Sequence, residues 1–153
     1  MCNPVAFTIA SALITAYGQK KQADYQGDVA DYNQKVEVQK ADAATQAGVS
    51  AEMQQRAKVR QIIGTQTASE GASGAMVNSG SFGDVTADTA LSGALDAQTI
   101  RLNAARQVWG INAQATSDQM QGQMARASGR MAVAGTLLNG AAKSYGYSVN
   151  WGK

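Results

Sequence analysis

SEGASGAMVNSGSFGD, residues 69–84, carries four glycines and four serines in sixteen positions. Glycine enters left-handed backbone without a steric penalty, and serine competes with the helix for nearby backbone groups, so this composition marks a loop. At its downstream edge Asp84 and Asp88 offer a cap and a favourable charge for the start of a new helix. No comparable break occurs on either side. The chain therefore reads as one all-α domain over residues 1–153: a helix at about 4–66, a loop at about 68–84, a helix at about 85–143 and an aromatic C-terminal tail at 144–153.

Upstream, the single proline, Pro4, follows Asn3. An Asn cap with Pro at the first helical position is a strong start signal, because the ring presets φ and removes an amide that the helix cannot pair. Gly18, Gly27, Gly48 and Gly64 weaken the run by about 1 kcal/mol each relative to Ala without ending it. Tyr25, Val29, Tyr32 and Val36 have the spacing of one helical face. Downstream, Leu91, Leu95, Leu102, Trp109, Met120 and Met124 belong to a face that continues to Tyr145 in steps of three or four, with Gly93, Gly110, Gly122 and Gly129 as points where it can bend. Long helices with narrow, alanine-rich apolar faces want neighbours. The expected architecture is an extended helical hairpin that assembles into a homo-oligomer, with these six residues at the interface. Leu95, Leu102 and Trp109 are expected to be buried between helices, where Trp109→Ala would cost about 3 kcal/mol or more on complete burial.

Composition limits the chemistry. Ala and Gln approach a third of the chain, and aromatics are 6% of it, so little apolar area is on offer for a thick core. Thirteen basic and eleven acidic residues are spread along the chain without a basic stripe, which argues against sequence-specific nucleic-acid binding. There is no histidine, and the one cysteine is Cys2. Disulfide frameworks, Cys/His zinc sites and histidine-assisted nucleophiles are thereby excluded. Asp24, Asp28 and Asp31 share a helical face beside Lys20, Lys21 and Lys35 and read as a solvated stripe. Glu37, Glu52 and Glu70 lie in polar helix or loop contexts with no implied pocket. The expectation is a non-enzyme with no cofactor, metal or small-molecule substrate.

Both ends are uncharged and apolar. Residues 1–19, with an apolar segment at 4–17, contribute Val5, Phe7, Ile9, Leu13, Ile14 and Tyr17, and residues 131–142 contribute Val133, Leu137 and Leu138. Tyr145, Tyr147 and Trp151 follow. Folding back at about residue 76 sets position 14 opposite about 138, so the two segments should meet and form one surface for partner protein or membrane. The first segment lacks the basic start and cleavage pattern of a signal peptide. Interrupted by Thr8, Ser11 and Thr15, it also falls short of the roughly 20 apolar residues of a transmembrane helix. Small residues recur at four-residue spacing in Thr8/Ala12/Ala16 and Ala132/Thr136/Gly140, which suits close helix packing in lipid or in water.

The pattern D-V-x-A-D-T-A-x-x-G-x-L-D-A-x-T-I-R-x-N-A-x-R-x-x-W-G, from Asp84 to Gly110, resembles a segment of the small internal virion proteins of tailed bacteriophages, especially short-tailed ones. The preceding Gly/Ser-rich turn and the Met-Cys start before a small-residue apolar helix are similar as well. The matched positions include Asp84, Val85, Ala87, Asp88, Leu95, Asp96, Thr99, Ile100, Arg101, Asn103, Arg106, Trp109 and Gly110. The resemblance implies an internal core or ejection protein, packaged in the capsid interior or head–tail region with other virion or ejection proteins and the portal. It implies that the protein leaves ahead of the genome to help form a channel through the host envelope, with the outer membrane as the partner surface. A purely structural helical adaptor or scaffold of a head or tail is the alternative. Asp96, Arg101 and Arg106 would flank the Leu95–Leu102–Trp109 face and bond across it, or else remain exposed charges of little energetic consequence.

Overall fold

The computed structural model describes residues 4–74, 76, 77 and 79–150; 96% of these are helical and none lies in a strand. Two long helices, α1 (Pro4–Ala72) and α2 (Gly80–Asn150), pack against each other. Pro4 opens α1, while the expected cap Asn3 lies outside the described residues.

The break is shorter than the Gly/Ser composition suggests. Helix continues past Gln66 to Ala72 and resumes at Gly80, so Ser69–Gly71 and Ser81–Gly83 are helical. Packing extends both ends beyond their local preference. The Gln66 amide donates to Thr89 Oγ1 at 3.1 Å, and Glu70 and Thr86 are buried. α1 ends where Gly74 takes φ 76°, with the Ser73 amide donating to Ser69 O at 3.1 Å and the Gly74 amide to Gly71 O at 3.2 Å. This is the left-handed stop that only glycine adopts cheaply. Gly80, at φ 60°, makes the corresponding turn into α2. At the far end, residues 144–150 of the expected tail belong to α2, and 151–153 lie outside the described residues.

The chain forms two compact units, Met1–Glu37 with Gln114–Lys153 (unit 1) and Val38–Ala113 (unit 2). In unit 1 the helices run antiparallel along a seam of small residues. A Cβ added to Gly140 would stand 2.7 Å from that of Ala12, one on Gly122 would stand 3.1 Å from that of Ala30, and one on Gly129 would collide with Ala23. Unit 2 repeats the device by itself: Gly48 faces Ala104, and Gly93 receives the side chain of Val59. Among the described residues the buried apolar ones are all alanines, namely Ala16, Ala23, Ala30, Ala41, Ala97 and Ala115, and no large side chain is fully buried. Burying a methyl contributes only about 0.8 kcal/mol, but small residues let the two backbones approach and gain dispersion along the whole seam.

The seam within the chain is not formed by the residues expected at the oligomer interface. Leu95, Leu102 and Trp109 are 55%, 49% and 75% exposed. The face of α2 that meets α1 carries Gly93, Ala97, Ile100, Ala104, Val108 and Ile111 instead. The stripe of large residues lies about half a turn away from it, and in α1 Tyr25, Val29 and Tyr32 are likewise exposed. Averaged along its length neither helix is amphipathic in the usual sense, because small residues fill the inside and large apolar ones stand outside.

Candidate functional site

In unit 1 the apolar segments meet as the mirror geometry requires. Gly140 lies against Ala12, and the Thr136 hydroxyl donates to Gln19 Oε1 at 2.9 Å. Ala132 is exposed and the side chain of Thr8 lies outside the described residues, whereas Ala12, Ala16, Thr136 and Gly140 sit on the seam side and serve helix–helix contact. Their large neighbours do not. Phe7, Ile9, Leu13, Ile14, Tyr17, Leu137, Leu138 and Tyr145 are exposed, and Val133 is half-buried. The side chains of Val5 and Tyr147, and the whole of Trp151, lie outside the described residues. Where charge begins, Lys21 Nζ sits 5.8 Å from the centre of the Tyr17 ring, one helical turn back. No helix among the described residues is long and apolar enough to cross a membrane.

The carboxylates of unit 1 are not a simple solvated stripe. Arg126 reaches across the seam and donates to Asp28 Oδ1 at 3.0 Å and to Asp31 Oδ2 at 2.7 Å. The hydrogen bond from Arg126 holds the Asp31 carboxyl below its usual range, and the same bond, with a second that Arg126 donates to Asp28, raises the Arg126 guanidinium. Gly27 makes room for the clamp, since a Cβ there would meet the Arg126 side chain. Sequence reasoning missed Arg126. The signal was available in the mirror geometry, which sets position 126 opposite about 26, just before Asp28 and Asp31.

Unit 2 carries the segment from Asp84 to Gly110. Within it Asp96 accepts a hydrogen bond from Gln55 Nε2 at 3.3 Å, and Ile100 is half-buried in the seam. Asp84, Asp88, Arg101, Asn103 and Arg106 are exposed, and the helix surface at Gly110 is open. Leu91, Leu95, Leu102 and Trp109 stand outward with them; Met120 and Met124, in unit 1, are exposed too. Beside the Gly48–Ala104 approach lies an open hollow of about 600 Å³, walled by Val49, Glu52, Arg101, Val108 and Trp109. A second, of about 660 Å³, lies near the turn between Ile62, Gln66, Glu70, Phe82 and Val85. Glu70 is thus a buried residue beside a hollow rather than a loop carboxylate, and Glu52 lies in a hollow and pairs with Arg56 at 2.8 Å.

Glu70 is the charged side chain lining the hollow near the turn, and Glu52 and Arg101 are those lining the other. Among the described residues no three potential metal ligands converge. The arrangement offers surfaces: an outward apolar stripe on α2 in each unit and the paired uncharged segments of unit 1. Comparison with known proteins finds no match: no family model fits the chain, and no curated protein or solved structure is similar to it.

Proposed function

We propose that the chain is a non-enzymatic internal virion protein of a short-tailed bacteriophage, packaged in the particle as a homo-oligomer. On infection it is ejected and contributes to a conduit through the host envelope, with the outer membrane as its target. The reading begins from the likeness of Asp84–Gly110 to such proteins. The structural observation that supports it is the outward placement of the large apolar side chains. Leu13, Ile14, Leu138 and Tyr145 are 55%, 74%, 72% and 74% exposed, a surface that calls for neighbours or lipid. An oligomer shields it in the particle. In a bilayer the same residues face lipid while Thr136, Gln19 and the small seam residues hold the helices together.

Phage carrying Leu13→Asp or Leu138→Asp tests the reading. Both sites are exposed, so folding and incorporation should persist while infection falls, and Gln54→Asp should be tolerated in both respects. Normal DNA injection by Leu13→Asp particles that contain the protein overturns the membrane role.

One observation favours a second reading. Because no described helix can cross a membrane on its own, a structural adaptor that never meets lipid uses the same surfaces for protein alone. Leakage from liposomes separates the two: the conduit reading expects the full chain to release dye and a chain lacking residues 1–19 to lose that ability, and the adaptor reading expects neither to act.

A further inference from the structure

We infer that the outward face of α2 in unit 2 is a self-complementary contact on which a second copy of this chain docks antiparallel, about a two-fold axis near position 97. This deepens the homo-oligomer of the proposed function by naming its surface and direction, and its test in solution is independent of any role in infection.

Asp84, Asp88, Leu91, Leu95, Gln98, Leu102, Arg106 and Trp109 are all exposed and share the side of α2 turned away from α1. Asp88 and Arg106 lie about five helical turns apart and therefore point in nearly the same direction. No described residue pairs with either of them. In an isologous contact residue i meets j and j meets i, and in an antiparallel pair of helices the same flank of each copy faces the other. Rotation about a point between 96 and 97 brings Asp88 to Arg106 of the second copy on that flank, and Arg106 to its Asp88.

The same rotation sets Leu91 against Leu102, Leu95 against Gln98, and Trp109 against Asp84, where the indole N–H finds a carboxylate acceptor. Four kinds of pair, two of them with complementary chemistry and one wholly apolar, thus share one centre. The leucines supply the buried contact, and the acid–base pairs select the direction. A parallel, in-register pair fails on the same residues. It puts Asp84 on Asp84 in the middle of the stripe and leaves Asp88 and Arg106 five turns apart.

The occupant is a second copy rather than lipid because the stripe is interrupted by two carboxylates and a guanidinium, which lipid cannot satisfy and this chain can.

Sedimentation of the full chain over a concentration series should show a monomer–dimer equilibrium. Asp88→Arg or Arg106→Asp alone places two like-charged pairs in each dimer and should weaken association about tenfold or more. The double variant Asp88→Arg/Arg106→Asp restores both pairs and should return to within about threefold of the parent. Both sites stay outside the seam, and far-UV circular dichroism verifies the helices. For direction, a spin label on Gln107→Cys in a Cys2→Ser background should report a separation of about 30 Å in the antiparallel dimer, against less than about 15 Å in a parallel one. A chain that stays monomeric, single variants that associate like the parent, a double variant that does not recover, or a short label distance each overturns the inference.

Discussion

Units 1 and 2 use the same small-residue seam but fasten it differently. In unit 1 a charged clamp, Arg126 with Asp28 and Asp31, joins the Thr136–Gln19 bond. In unit 2 the ties are side-chain amides. Gln55 donates to Asp96 and Gln66 to Thr89, and Gln66 Oε1 is left buried without a partner. Unit 1 turns its cross-helix arginine inward, whereas unit 2 leaves Arg101 and Arg106 exposed, with Asp84 and Asp88 also outside. Charge that one unit uses to hold its own helices together is, in the other, available to a neighbour.

The strongest way to break the comparison is to attack what the units have in common. Gly129→Leu in unit 1, or Gly93→Leu in unit 2, forces a branched side chain into Ala23 or Val59, and each should cost about 2–3 kcal/mol in chemical denaturation. Amide hydrogen exchange should place the loss mainly in the unit that carries the substitution. Equal losses across both would show that the seams are one cooperative structure.

A smaller effect should separate the units. Arg126→Ala removes the clamp and should speed exchange at the amides of unit 1 while leaving those of unit 2 unchanged. It should also remove a pH dependence. Because Asp31 is held below its ordinary value of 3.8, the folded state binds fewer protons there than the unfolded state. The resulting stability is fully present above that ordinary value and is lost as pH falls through the lowered one. Acid denaturation of the parent should therefore begin in unit 1 below about pH 4, and the variant should lack that component.

Gly110→Ala sharpens the contrast between inside and outside. With open space around it, the exchange should stabilise the chain by about 0.5–1 kcal/mol through helix preference alone, whereas Gly93→Ala, on the seam of the same helix, should destabilise it. The smallest effect is expected for Trp109→Ala. At 75% exposure it should change the unfolding free energy of the dilute, monomeric chain by less than about 0.5 kcal/mol, rather than the 3 kcal/mol expected for a tryptophan in the seam. A large loss in dilute solution would mean that Trp109 is covered there.

The sequence alone determined the all-helical class, the interruption between two long helices and the antiparallel pairing. Pro4 and the Ala/Gln/Lys filling favour helix locally, Gly74 and Gly80 sit where left-handed backbone is needed, and a chain that turns near residue 76 has little choice but to set Ala12 beside Gly140. The inward face was decided only by tertiary structure. Periodicity marks a stripe but carries no sign. Leu91, Leu95, Leu102 and Trp109 form the more conspicuous stripe, and local pattern alone favours it as the seam. A pair of helices, however, encloses only a narrow strip between two backbones, and alanine and glycine fill that strip at a spacing which leucine and tryptophan would force apart. The inward reach of Arg126, the burial of Glu70 and the helical turns gained at Ser69–Ala72 follow from the same close approach. They depend on groups from the opposite helix, which no local window of sequence contains.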